Sequence, residues 1–162
     1  MRDFLTRPLT IWALFFATLI ITFTIGLVIP NVSGTFIDMV SDPKVVSSLI
    51  ARMSEEQKQT HFWATLLLDT AYPLAYGGFF AGMTLRYFGQ RGKWLSLPAL
   101  SAVLVDLVEN TIQMLALRGN EDMLWIKAFL TPVKFSLSLV AGLIALVALG
   151  IAIYYRLNRP AG

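Results

Sequence analysis

The fold is decided by residues 94–117, which read WLSLPALSAVLVDLVENTIQMLAL. The stretch is apolar over about 20 residues, the length with which an α-helix crosses a hydrocarbon core of about 30 Å. It is interrupted at the spacing i, i+3, i+4 and i+7 by Asp106, Glu109, Asn110 and Gln113, which share one helix face. An ionised acid at the bilayer centre costs about 2.5 to 3.5 kcal/mol, so both acids require compensation. The stretch therefore predicts a membrane-spanning helix whose polar face points into a bundle.

The composition assigns the rest of the chain to the same class. Of its 162 residues, 56% are hydrophobic and 14% are charged, and the apolar residues fall in blocks too long for a soluble domain of this size to bury. Soluble enzymes, nucleic-acid-binding modules and disordered tails are therefore disfavoured. The lack of cysteine and the single histidine exclude disulfides, thiolate metal centres and multi-histidine sites. No metal and no cofactor is predicted.

Four apolar spans predict an all-α integral membrane protein, a four-transmembrane-helix bundle formed by residues 1–162 as one polytopic domain. The spans cover residues 9–30, 62–85, 94–117 and 128–155. Lysine and arginine are denser at the termini and in the turn at residues 86–93 than in the other two loops. The positive-inside rule then predicts cytoplasmic termini, in the cytoplasmic membrane of a bacterium.

The outer loop, residues 31–60, carries helix signals of its own. Asp42 followed by Pro43 is typical of a helix start, and apolar residues follow at helical spacing, which predicts an amphipathic helix on the outer surface. Ser54 and Gln57 then form the pattern of a capping box. A second helix is expected to start there and to run straight into the second span.

The second span has a polar stripe that matches the one in the third. Asp69, Tyr72 and Tyr76 follow at i, i+3 and i+7. Pro73 cannot donate a hydrogen bond to the carbonyl of Asp69, so that carbonyl is free for another partner. Asp69 and Glu109 are expected at similar depth in antiparallel helices.

The fourth span offers Lys127, Thr131, Lys134 and Ser138 on one face. Lys134 is predicted to be the one cation inside the membrane and the partner of an acid. Because Asp69, Asp106 and Glu109 outnumber it, at least one acid is expected to be protonated or compensated by a bound cation.

Each feature also has a purely structural interpretation. The polar stripes can hold helices together by hydrogen bonds, and Lys134 can extend to the outer headgroups without a partner. His61 is expected to be an anchor or loop residue rather than a ligand. The pattern of Gly78 and Gly82 is typical of close helix packing.

The stretch at residues 62–117 also resembles the EXPERA fold of emopamil-binding sterol isomerases. The resemblance rests on Trp63, Asp69, Tyr72 and Pro73 and on the Lys93-Trp94 turn. It implies a four-span fold with an intramembrane acid pair lining a pocket for an amphiphilic, often cationic ligand, and it gives Asp69 that role. The chain also looks like small four-span bacterial membrane proteins with a similar D-x-x-E-N third span.

Three functions follow from these features. The first is binding of a lipophilic or amphiphilic small molecule in a pocket between spans two, three and four that opens to the outer leaflet. Its candidate ligand-binding residues are Asp69, Tyr72, Tyr76, Asn110, Gln113 and Lys134. If the ligand is also modified, Asp106 or Glu109 would transfer the proton. The second is proton- or cation-coupled transport, and the third is a structural or assembly role with a membrane-protein partner or in a homo-oligomer. Membrane lipids are expected partners in each case, and nucleic acid in none.

Overall fold

The computed structural model describes residues 2–32 and 34–158, and these residues form helices and connecting turns without a β-strand. Eight α-helices follow one another in this described part of the chain. They are α1 (Arg2–Leu5), α2 (Pro8–Val28), α3 (Pro43–Arg52), α4 (Glu55–Ala64), α5 (Thr70–Tyr87), α6 (Gly92–Leu95), α7 (Leu97–Leu117) and α8 (Leu124–Leu157). Two 3₁₀ turns (Ile29–Val32 and Ile37–Met39) lie in the loop after α2, and a π-helical turn (Thr65–Asp69) joins α4 to α5.

Three of the helical segments described are long and apolar enough to cross a membrane: Pro8–Val32, Gly92–Leu117 and Leu124–Leu157. The described residues therefore form an all-helical structure with three candidate membrane-spanning helices. The predicted second span, residues 62–85, is not among the three. It corresponds to the end of α4, which begins with charged residues, then the π turn and α5.

The helical segment from α4 to α5 begins at a capping box, as the sequence predicts. The Ser54 side chain accepts a hydrogen bond from the Gln57 amide, and the Gln57 side chain accepts one from the Ser54 amide. The chain then continues helically through the π turn into α5, which contains Pro73. A π turn inserts one extra residue per turn, so it changes the direction of the side chains that follow it. It ends at Asp69 and so fixes where this carboxyl points.

Small residues bring the long helices together at the end of the bundle that carries the chain termini, here named the termini end. α2 packs on α5, and α8 packs on α5 and α7. A Cβ atom on Gly82 would lie 2.6 Å from the Leu5 carbonyl oxygen, and one on Gly78 would lie 3.0 Å from Leu14. The interpretation of these two glycines as close-packing positions is confirmed.

The opposite end, named the loop end, carries residues 29–54 and 118–123. α3 begins where the sequence predicts a helix start, and the Asp42 side chain accepts a hydrogen bond of 2.8 Å from the Lys44 amide. Val46 and Ile50 on α3 are buried in one apolar cluster with Ile37 and with Leu117 and Leu124 at the ends of α7 and α8. The loop is therefore part of the folded core.

Candidate functional site

Glu109 is the centre of a buried charge cluster between α7 and α8. Its carboxylate lies 2.8 Å from the Lys127 ammonium and 3.0 Å from that of Lys134, and the Glu109 and Lys127 side chains have no exposed surface. The Thr131 hydroxyl also donates to Glu109 at 2.6 Å. Buried charges in proteins require such paired geometry, because a lone buried ion costs several kcal/mol. The polar face of the third span is thus neutralised mainly by α8.

Lys134 lies among three carboxylates. Its ammonium contacts Asp38, lies 3.0 Å from Glu109 and lies 3.5 Å from Asp106. The side chain is nearly fully buried, so the alternative in which Lys134 extends to the headgroups without a partner is wrong. The prediction that Lys134 partners an acid is confirmed.

Lys127 is a second buried cation, so the prediction that Lys134 would be the one cation in this region is wrong. The fourth span predicted from the sequence begins at residue 128, whereas α8 begins at Leu124, so Lys127 lies inside the helix. Besides Glu109, the Lys127 ammonium donates to the carbonyls of Ile37 at 3.1 Å and Val40 at 2.8 Å. These carbonyls at the ends of a 3₁₀ turn make the burial of the lysine possible.

Asp38 is the member of the cluster that no sequence pattern indicates. It lies in the 3₁₀ turn Ile37–Met39, about a hundred residues before its partner Lys134, and no helical or strand pattern includes it. Its position depends on the folding of the loop against α8. The described part of the cluster thus contains three buried carboxylates, those of Asp69, Asp106 and Glu109, and the partly exposed carboxylate of Asp38. Set against two lysines, these four leave a formal charge of −2 if all are ionised.

Asn110 and Gln113 hold α7 against the π turn. The Asn110 side-chain amide donates a 2.8 Å hydrogen bond to the Asp69 carbonyl, the one that Pro73 leaves without a helical donor. The Gln113 amide donates to the Thr65 hydroxyl at 2.8 Å. The prediction that the carbonyl of Asp69 is free for another partner is confirmed, and the partner is Asn110.

Tyr76 connects α5 to both neighbouring helices. Its hydroxyl donates to Asp106 at 3.0 Å and accepts a 3.3 Å hydrogen bond from Ser138. The ring of Tyr72 packs edge-on against that of Tyr76 at 5.2 Å between centroids. These contacts orient Asp106 and place two aromatic rings beside it.

A cavity of about 370 Å³ lies beside this network. Six of its thirteen lining residues are aromatic, and the lining includes residues of α2, so the predicted location between spans two, three and four is corrected to include the first. The full lining is Phe15, Thr18, Leu19, Asp38, Asp69, Tyr72, Tyr76, Phe79, Phe80, Asp106, Lys134, Phe135 and Ser138. Leu19 on α2 and Phe135 on α8 are each about half exposed, so the cavity opens sideways between these two helices.

Asp69 lines this cavity and has one carboxylate oxygen without a partner among the described residues. The residue is 6% exposed, and its Oδ2 atom has no hydrogen-bond partner in the described part of the chain. A buried carboxylate oxygen without a donor costs free energy, so such atoms usually mark a place where a ligand or water binds. Asp69 is thus the group of this cavity that can bind a donor or a cation.

The predicted site residues divide into two groups. Five line the cavity: Asp69, Tyr72, Tyr76, Asp106 and Lys134. The other three lie behind its wall, where Glu109 pairs with the lysines and Asn110 and Gln113 fix the π turn. These three residues could therefore affect a bound molecule only indirectly, by positioning the residues that they contact.

Three carboxylates offer the geometry of a metal site. Oxygen atoms of Asp38, Asp106 and Glu109 all lie within 4.8 Å of one another. The Lys134 ammonium contacts all three. A metal ion would have to displace this ammonium. The three carboxylates are therefore better described as the binding site of the Lys134 side chain than as a metal site.

His61 anchors the 3₁₀ turn that carries Asp38. It is fully buried at the end of α4, its Nε2 atom accepts a 3.4 Å hydrogen bond from the Ile37 amide, and its ring packs on Phe36 at 4.7 Å. Burial lowers the pKa of His61 to about 4, Asp38 opposes the shift and Lys127 adds to it. The neutral imidazole is the form that accepts this hydrogen bond, so His61 holds the 3₁₀ turn in place from inside the protein.

The comparisons with known proteins give no relative to compare this site with. No known protein family, curated protein or solved structure matches the chain.

Proposed function

We propose that this protein is a four-span membrane protein that binds a lipophilic or amphiphilic small molecule in the cavity between α2, α5, α7 and α8. The observation that carries the proposal is the unpartnered Oδ2 atom of Asp69, a residue of a wall in which six of the thirteen lining residues are aromatic. Pockets for small molecules combine an apolar lining with a few polar groups that orient the ligand, over about 300 to 1,000 Å³. The cavity volume of about 370 Å³ fits a compact ligand.

The chemistry of the cavity defines what the ligand offers. Phe15, Phe79 and Phe135 favour an aliphatic or aromatic body, and Asp69 favours a hydroxyl or ammonium group that donates a hydrogen bond. A carboxylate or phosphate in that position would be repelled, because the surrounding cluster has a formal charge of −2 when all its groups are ionised. The sideways opening between Leu19 and Phe135 suits entry from the hydrocarbon of the membrane.

The membrane topology of the proposal follows the sequence. Residues 62–85 would form the remaining span, with the termini in the cytoplasm of a bacterium and the loop end outside. α3 would then be the amphipathic helix on the outer surface near the pocket mouth. The EXPERA resemblance supports the same role for Asp69, as one acid of an intramembrane pair.

If the ligand is modified as well as bound, Asp106 is the acid or base with access to it, because it lines the cavity and accepts a hydrogen bond from Tyr76. Glu109 would act on it through Lys134, which contacts both acids.

Transport has less support from the geometry. Ala81, Ala99 and Ala141 form a closely packed apolar layer, and the nearby cluster of Ile11, Met83, Ala145 and Ala148 extends it towards the termini end. A proton or cation path through a single chain needs polar groups on both sides of the bundle. A structural role for the charge cluster is compatible with ligand binding, because Lys127 holds the loop while Asp69 faces the cavity.

The proposal is tested by thermal unfolding of the detergent-purified protein with dodecylamine, dodecanol and laurate. We expect stabilisation by the amine and the alcohol but not by the carboxylate, since a ligand at 100 times its dissociation constant adds about 2.7 kcal/mol. Asp69→Leu should abolish it, whereas the matched variant Asp122→Leu, at an exposed loop position, should retain it. Equal stabilisation of wild type and Asp69→Leu would refute the proposal.

A further inference from the structure

A second recess lies at the loop end, away from the acidic cavity. It lies where α4 crosses the end of α7 and has a volume of about 500 Å³. Its lining is polar, and we name it the Arg118 groove. The residues that form it are Glu55, Lys58, Gln59, Phe62, Trp63, Leu117, Arg118 and Gly119.

Arg118 is fixed at this groove by the way α7 ends. The Gly119 amide donates to the Ala116 carbonyl at 2.9 Å and the Asn120 amide to the Leu115 carbonyl at 3.0 Å. This is a Schellman motif, with Gly119 in the left-handed conformation at φ +93°. The helix therefore stops sharply, and the Arg118 guanidinium is directed back over the ring of Phe62, 4.2 Å from its centroid.

The guanidinium has unused binding capacity. Its N–H groups make no hydrogen bond to any residue in the described ranges, 2–32 and 34–158, while the ring of Phe62 covers one of its faces. Lys58 pairs with Glu55 at 2.8 Å, so these two charges cancel and Arg118 leaves the groove with one net positive charge. Glu55 is 90% exposed, and such an exposed pair is weak enough for Lys58 to turn to another anion.

The groove continues into an apolar face. Trp63 and Leu67, four residues apart on one face of the same helical segment, are 47% and 61% exposed. Arg118 lies directly after a helix long and apolar enough to span the membrane, so it lies at the level of the lipid headgroups. Tryptophan favours the same level because its ring is apolar and its indole N–H is a donor.

We propose that the Arg118 groove binds the headgroup of an anionic phospholipid. The fork of the guanidinium matches two phosphate oxygens, Lys58 supplies a second positive charge, and the Trp63 and Leu67 face contacts an acyl chain. The site is separate from the acidic cavity and shares no lining residue with it. It does not depend on the small-molecule proposal.

The test is native mass spectrometry of the protein released from nanodiscs of equal parts phosphatidylglycerol and phosphatidylcholine. We expect wild type to retain phosphatidylglycerol in preference to phosphatidylcholine, and Arg118→Gln to lower that preference about tenfold, the effect of losing one charged hydrogen-bonded contact. Arg118→Lys should fall between the two, because it keeps the charge without the fork. The matched control is Arg52→Gln, which removes the same charge from an exposed position at the end of α3.

Three outcomes would overturn the proposal. The first is equal lipid retention by wild type and both Arg118 variants. The second is an equal loss in Arg52→Gln, which would indicate general attraction to charge at the loop end. The third is thermal stabilisation by inorganic phosphate that equals that by phosphatidylglycerol, which would assign the groove to a free anion. If the groove instead binds an acidic protein, the first outcome is expected. That protein and added phosphatidylglycerol would then not compete for the groove.

Discussion

The two ends of this bundle hold the same helices together by opposite means. At the termini end, glycine and alanine let backbones approach closely, as Gly82 does at the Leu5 carbonyl. At the loop end, Glu109, Lys127 and Lys134 join the helices through buried charges. The acidic cavity lies next to the charged half. Close apolar packing leaves little room for a ligand, whereas a charged network needs polar groups of fixed position and so provides a frame for a cavity.

The largest effect is expected from Lys127→Met, which removes one member of the buried charge cluster at the loop end. Removing one member of a buried ion pair leaves the other uncompensated and costs about 3 to 5 kcal/mol. The variant should unfold at much lower denaturant concentration in a micellar unfolding assay, and it should also release the loop, because Lys127 binds the Ile37 and Val40 carbonyls. The double variant Lys127→Met, Glu109→Gln should recover part of this stability. A loss below about 1 kcal/mol in the single variant would contradict the paired geometry.

Asn110→Leu tests the contact between α7 and the π turn. It leaves the Asp69 carbonyl without a donor, which costs about 1 to 3 kcal/mol of unfolding free energy. When Asn110→Leu is combined with Pro73→Ala, which restores a helical donor to the same carbonyl, the loss of unfolding free energy should be smaller. A double-mutant cycle measures this coupling, and strictly additive effects would show that Asn110 acts elsewhere.

Protonation of His61 tests how the loop is anchored. Its folded pKa of about 4 lies below the ordinary value of 6.5, so the unfolded chain binds the proton more readily and stability falls as the pH falls from 6.5 towards 4. The loss between pH 7 and pH 5 should be about 2 kcal/mol. His61→Gln, which keeps an acceptor for the Ile37 amide, should remove that part of the slope. If His61→Gln leaves the pH profile unchanged, the folded protein takes up the proton on His61 as readily as the unfolded chain, and the imidazole does not anchor the loop in its neutral form.

The smallest effect is expected in the apolar half, from Gly82→Ala. Overpacking costs about 1 to 3 kcal/mol, and the better helix propensity of alanine returns about 0.5 to 1. The net loss of unfolding free energy should be about 1 kcal/mol in the same micellar assay. Gly26→Ala is the matched control, because its Cβ would meet no atom within 4 Å, and it should be neutral or slightly stabilising. Equal behaviour of the two variants would mean that α1 and α2 can move away from α5.

Features set by local sequence could be predicted, and those set by long-range packing could not. The capping box at Ser54, the freed carbonyl at Asp69 and the shared face of Glu109 and Asn110 each depend on a few neighbouring residues. The burial of Lys127 could not be predicted in this way, because the residue lies at the edge of an apolar run and its neighbours in sequence supply no partner. It is buried because the loop supplies two carbonyls from about 90 residues earlier.

The cavity shows the same division between local and distant information. The sequence identified Asp69, Tyr76 and Asp106 as lining residues, since polar residues in apolar helices face inwards. It missed Asp38, because a short 3₁₀ turn has no sequence periodicity that predicts its packing partner. It also missed the wall on α2, whose apolar residues are equally spaced around the helix and indicate no preferred face.

The pairing of Glu109 with Lys127 has a consequence for synthesis of the protein. The acid leaves the ribosome 18 residues ahead of the lysine, so α7 emerges with a charge that only a later segment can neutralise. A helix with an unpaired acid inserts poorly into a bilayer. We therefore expect α7 and α8 to enter the membrane together, as a hairpin already closed by the sharp turn at Gly119. If the lysine were moved out of this hairpin, the first effect would be poorer insertion of α7 into the membrane. The lower stability of the folded protein would follow.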